Sequence, residues 1–262
     1  MNSQIKPMKK TRLFAFILLV AISISCIIQA KGLRVLYIGD SITDGNWGGG
    51  GGRPSSERAL WDMNHIYGHG FMFLCAAHYM SLYPEKEYEF FNRGISGNSL
   101  YDLEKRWQND VLDIKPDVLS VLVGINDILS LQKADQRASF DFKAWDKKYR
   151  ELLDKARQAN PRLKIVLASP FITPTGKMAK EVNFEEYKQM INQCISIVEK
   201  IAKDYDAVYL PYQQMFDQVL KATPTSQNAY WIWDGVHPTT AGHQRMADMW
   251  IQKANKKKLL VP

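Results

Sequence analysis

Five apolar runs punctuate the chain beyond its first thirty residues: Val35 to Ile38, Glu89 to Asn92, Val118 to Val123, Lys164 to Ser169 and Ala207 to Leu210. Each is short and rich in β-favouring residues, which predicts a strand. Between them, apolar positions recur at helical spacing over roughly Tyr67 to Tyr83, Tyr101 to Leu112, Phe142 to Ala159 and Phe184 to Asp204, and again from Thr240 to Ala254. Apolar strands alternating with helices predict a parallel sheet covered on both faces. With right-handed crossovers this is an α/β fold, a three-layer α/β/α sandwich whose post-strand loops share one rim.

The first thirty residues follow a different pattern. Lys6, Lys9, Lys10 and Arg12 precede an apolar stretch from Leu13 that ends at Ile28-Gln29-Ala30, as in a secretory signal cleaved after Ala30. Two other readings stay open. Ser23-Ile24-Ser25-Cys26 resembles a lipoprotein box, with cleavage before Cys26, and Leu13 to Ala30 is just long enough for an uncleaved membrane anchor. All three put the domain outside the cytoplasm, periplasmic or secreted, with any membrane contact made through this N-terminal segment. The remaining residues, 31–262, lack internal repeats and suffice for one domain with a substantial core.

Removing that segment changes the charge balance. It carries four of the 34 Lys and Arg and none of the 27 acids, so the net charge falls from +7 to +3. No basic stripe or nucleic-acid module remains to support nucleic-acid binding. Cys75 and Cys194 stay behind, both in helical stretches, either as buried thiols or as one disulfide.

Candidate chemistry falls on the predicted rim. The first strand stops at Gly39-Asp40-Ser41, which delivers a serine to its carboxyl end, where open α/β sheets keep their sites. A serine needs a base, an acid to orient that base, and donors for an oxyanion. Asp234 and His237 lie three apart before the last helix, a spacing that lets a carboxylate hold one imidazole nitrogen while the other takes the serine proton. His243 is a rival base without an equally placed acid. Gly94 and Gly97, after the second strand, allow a sharp turn and close approach of a backbone N–H. Asn126, after the third, can offer its side-chain amide to an oxyanion or simply cap the next helix.

Between Asp44 and Gly70 lies a long loop carrying the glycine run Gly48 to Gly52, Trp47, Arg53, Trp61, His65 and His69. The chain is expected to enter no helix directly after the first strand. No Gly-Lys-Ser/Thr ends the glycine run, which excludes a phosphate loop, and the glutamate of a zinc-protease motif is missing between the histidines, so no metal is expected. A substrate rim built from Trp47, Trp61, Trp231 and Trp233 suits this composition, as does a flexible surface loop or, for the tryptophans, burial in the core.

Taken together, Gly39-Asp40-Ser41-Ile42-Thr43, Ser96-Gly97-Asn98, Gly124-Ile125-Asn126-Asp127 and Asp234-Gly235-Val236-His237-Pro238 resemble the four sequence blocks of the SGNH (GDSL-type) hydrolase superfamily, in the family's order. The layout is most similar to secreted bacterial carbohydrate acetylesterases such as rhamnogalacturonan acetylesterase. The resemblance implies a flavodoxin-like five-stranded sheet of order 2-1-3-4-5 and esterase chemistry needing no cofactor. Matched block by block, it makes Ser41 the nucleophile, His237 the base and Asp234 its orienter, with the Ser41 N–H, the Gly97 N–H and the Asn126 side chain as the oxyanion hole. The expected partner is an acylated carbohydrate. The alternatives are a lipase, lysophospholipase or thioesterase of the same family and, from another class, a binding module that has kept the fold but lost the chemistry.

Overall fold

The computed structural model describes residues 32–45, 65–223 and 229–260. The chain divides into Met1–Gly32 and Leu33–Pro262; the segment read as an export signal falls in the first and lies outside the described residues, as do Trp47, the glycine run, Arg53 and Trp61. Among the described residues no helix is long and apolar enough to cross a membrane.

All five expected strands form: β1 (Arg34–Gly39), β2 (Glu89–Gly94), β3 (Val118–Leu122), β4 (Lys164–Ala168) and β5 (Val208–Leu210). They build one parallel sheet of order β2-β1-β3-β4-β5. β3 is buried along its whole length and β1 almost so, because helices cover both faces, whereas β2, at an edge, alternates buried with half-buried positions.

The helices are α1 (Ser41–Asp44), α2 (Phe71–Leu82), α3 (Leu100–Trp107), α4 (Ile125–Leu129), α5 (Ala134–Ala138), α6 (Phe142–Ala159), α7 (Phe184–Asp204), α8 (Tyr212–Ala222) and α9 (Thr240–Lys256). α6 and α7 begin and end where the periodicity places them. α6 starts at Asp141, whose carboxylate accepts the Lys143 and Ala144 amides at 2.9 and 3.0 Å. α3 starts at a reciprocal cap between Ser99 and Asp102, and its last turn loosens into a π-turn over Gln108–Leu112. α2 packs on α9, while α3, α6 and α7 pack in succession.

Four helices depart from expectation. α1 follows β1 after one residue, against the expectation of no helix there; four residues cannot carry a periodic signal. α4 and α5 are similarly short. α8 was readable, since Tyr212, Met215, Phe216 and Val219 form a buried helical face, but it starts one residue after a three-residue strand and merges with it in pattern. Trp145 and Trp250 are fully buried core residues, and Cys75 and Cys194 are separate buried thiols, so the disulfide alternative falls.

Candidate active site

The turn from β1 into α1 is forced by close packing. Gly39 pairs in register with Gly94 on one side and Leu122 on the other. A Cβ on Gly39 would collide with the Leu122 carbonyl oxygen, and one on Gly94 with the Asp44 amide. The two glycines thus let α1 nest across the ends of β1 and β2. Asp40 caps the helix by accepting the Ile42 N–H at 2.9 Å, and Gly45, at φ 62°, closes it by donating to the Ser41 carbonyl at 3.0 Å. Ser41 is therefore the first residue of a clamped turn and only 6% exposed.

The turn meets a loop from the far end of the chain. Ser41 Oγ lies 2.9 Å from His237 Nε2 across 196 positions of sequence, and His237 Nδ1 lies 2.6 Å from Asp234 Oδ2. The second Asp234 oxygen accepts the amides of Val236 and His237 at 2.9 and 2.7 Å. Burial pushes this carboxyl up, yet the hydrogen bonds from the His237 ring and the two amides outweigh it and hold it below the ordinary aspartate range. Ionised Asp234 accepts Nδ1–H, so Nε2 presents its lone pair to the Ser41 hydroxyl.

The segment after β4 clamps this loop. The Thr173 amide donates to the Gly235 carbonyl at 2.9 Å, the Met178 amide to the Asp234 carbonyl at 3.2 Å, and Thr175 Oγ1 to the Ile232 carbonyl at 2.9 Å. Thr173 and Thr175 escaped the sequence reading. Their only signal was position, on the rim just past a strand.

The remaining rim residues are joined to one another. Gly97 is exposed at φ 81°, and a Cβ there would meet nothing within 4 Å. Backbone conformation rather than crowding is what requires glycine there. Asn126, at the start of α4, donates Nδ2–H to the Asn98 carbonyl at 3.1 Å, which leaves its second amide hydrogen for another acceptor. Asp127 accepts the Leu100 amide at 3.1 Å and the Trp145 indole N–H at 2.9 Å, fixing the start of α3 beside the Gly97 turn. Burial pushes the Asp127 carboxyl up to about 6. Asp40 is pushed up to about 7, first by burial and then by the charge of Asp127, and its Oδ2 meets no donor among the described residues.

His243 is not placed as a base. Burial pushes it down to about 4, and its Nδ1 accepts the Phe71 amide at 3.1 Å, seating the start of α2. His65 opens a short 3₁₀ turn, His65–Tyr67, that ends before His69. Among the expected rim tryptophans, Trp231 is half-buried, donating to Thr223 Oγ1 at 2.9 Å with Arg245 over its ring. Trp233 instead is 52% exposed, with its ring 6.0 Å from that of His237 and nearly parallel to it.

The sequence profile described as "GDSL-like Lipase/Acylhydrolase family" matches residues 37–245. An acetylxylan esterase from Geobacillus stearothermophilus is 30% identical over 229 residues, covering 85% of this chain and 94% of that protein. The crystal structure of Axe2, an acetylxylan esterase from the same organism, superposes with a TM-score of 0.67 at 28% identity, covering 85% of this chain and 94% of the other. Its catalytic mutants replace a serine, an aspartate and a histidine, the last two three residues apart. A protein from Parabacteroides merdae described as a GDSL-like lipase superposes with a TM-score of 0.70 at 28% identity, covering 86% of this chain and 96% of that one.

Proposed function

The chain belongs to the GDSL-like lipase/acylhydrolase family and is a carboxylic ester hydrolase; from that premise we propose that it removes O-acetyl groups from carbohydrate, with Ser41 as nucleophile, His237 as general base and Asp234 as its orienting acid. The observation that carries the roles is the unbroken chain of contacts from Ser41 Oγ through the His237 ring to Asp234, at 2.9 and 2.6 Å.

His237 Nε2 takes the Ser41 proton as Oγ bonds to the ester carbonyl carbon, and the carbonyl electrons move onto oxygen. The Ser41 and Gly97 N–H groups and the free hydrogen of the Asn126 amide stabilise that oxyanion. When the tetrahedral intermediate collapses, His237 gives its proton to the departing sugar oxygen. Water then repeats the sequence on the acetyl-enzyme and releases acetate.

Two features support a carbohydrate acetate as substrate. Trp233 offers an exposed aromatic face beside His237, suited to the apolar face of a sugar ring. The relative at 30% identity is an acetylxylan esterase. The basic and then apolar sequence of the first thirty residues supports action outside the cytoplasm.

The substrate reading is tested by comparing p-nitrophenyl acetate with the octanoate ester, and then acetate release from acetylated xylan. The acetate ester should be turned over faster; faster octanoate turnover would favour a lipase instead. The nucleophile is tested with a fluorophosphonate, which should label wild-type protein and leave Ser41→Ala unlabelled.

A further inference from the structure

Arg106 projects from α3 beneath the rim, and its guanidinium, 14% exposed, is committed to four acceptors. Nε donates to Asn98 Oδ1 at 2.8 Å. Nη1 donates to Asp110 Oδ2 at 2.7 Å and to the Arg93 carbonyl at 2.8 Å, and Nη2 to the Gly39 carbonyl at 3.1 Å. Burial lowers the pKa of this group, while the hydrogen bond and charge of Asp110 act to raise it.

The acceptors sit at chosen places in the chain. Gly39 ends β1, two residues before Ser41. Arg93 precedes Gly94 at the end of β2. Asn98 follows Gly97, and its own carbonyl accepts the Asn126 side chain at 3.1 Å. One planar fork thus ties together the segments that carry all three oxyanion donors: the Ser41 and Gly97 turns directly, and the Asn126 amide through Asn98. A lysine would supply the charge but not the fixed fork.

We propose that Arg106 is the positioning residue of the oxyanion hole, setting the Ser41, Gly97 and Asn126 donors at their mutual spacing without touching substrate. The inference rests on the Ser41 reading above. Its consequence is that loss of Arg106 acts on the transition state rather than on substrate binding, because donors displaced by a fraction of an ångström still admit the ester but no longer meet the oxyanion.

The test is a double-mutant cycle between Arg106→Gln and Asn126→Ala, read as kcat and KM on p-nitrophenyl acetate. Arg106→Gln should lower kcat by between about ten- and a hundredfold with KM within about twofold. In the Asn126→Ala background the same change should lower kcat by less, since one of the three donors it positions is already gone. Arg106→Lys, which keeps a charge opposite Asp110, should fold even if Arg106→Gln does not, and should still show the kcat defect and the same coupling to Asn126→Ala. Equal effects in both backgrounds, an unchanged kcat, or a rise in KM alone would overturn the proposal. Fluorophosphonate labelling separates the two readings. Wild-type protein that takes no label overturns the Ser41 assignment and this proposal with it, whereas a labelled protein with an additive cycle overturns the role of Arg106 alone.

Discussion

His237 and Asp234 lie three residues apart on one loop and hold each other through a ring contact at 2.6 Å and an amide contact at 2.7 Å. The groups facing them come from the ends of β1, β2 and β3 and are held by one adjacent and two distant side chains: Asp40 on the Ile42 amide, Arg106 on Asn98 and Asp127 on the Leu100 amide. The base arm is mostly local, and the segment after β4 clamps it from outside. The proposed oxyanion arm is assembled from three distant segments over a layer of buried polar groups. A local hydrogen bond sets which nitrogen of His237 accepts, while the position of the donors depends on the packing of the whole sheet edge.

Substitutions should expose this contrast, and the largest effect belongs to the base arm. Asp234→Asn keeps the shape but loses the anion that fixes the Nδ1–H tautomer, so kcat should fall roughly 10⁴-fold. Steady-state kinetics with an unchanged unfolding midpoint would confirm the electrostatic origin. A loss matched by unfolding would instead make Asp234 a structural cap.

Next comes the oxyanion arm. Asn126→Ala should lower kcat about a hundredfold, roughly 3 kcal/mol of barrier, with a smaller change in KM. The reverse pattern, KM rising at constant kcat, would make Asn126 a substrate-binding residue.

The buried layer beneath that arm should show itself in stability against pH. Asp40 binds its proton more tightly folded, at about 7, than unfolded, at 3.8. Between those values the folded state holds the extra proton, so the contribution of Asp40 to stability falls as pH rises through that window. Asp40→Asn keeps an N-cap oxygen and removes the titration. Thermal unfolding of the variant should therefore gain on wild type steadily from about pH 4 to pH 7, and a pH-independent difference would show that Asp40 stays ionised in the fold.

The smallest effect is expected at Gly97. Its φ of 81° penalises any side chain, although open space surrounds it, so Gly97→Ala should lose about 1 kcal/mol by denaturant unfolding. If kcat then falls by more than that energy implies, the turn also positions its N–H for the oxyanion.

Much of this site was legible in the sequence for reasons that differ by residue. Ser41 was readable because an apolar strand ends abruptly before it, and His237 because its acid partner lies within one turn. Asn126 stood out as a candidate donor through its place after β3. Arg106 gave no signal, since an arginine on an amphipathic helix looks the same whether it meets water or four buried acceptors. α8 hid its own buried face behind a strand of three residues, and Trp231 could not be told from Trp233 until the loop was folded.

The sequence by itself determined the alternation of strands and helices, the bounds of α6 and α7 and the local Asp234–His237 pair, because periodicity, capping and short-range hydrogen bonds act within a few residues. Only the tertiary structure decided that Ser41 meets His237 and not the buried His243, that α1 exists at all, and that Arg106 joins the ends of β1 and β2. Those outcomes depend on glycine contacts between adjacent strands and on buried polar groups finding partners far away in the chain, and neither leaves a pattern along the sequence.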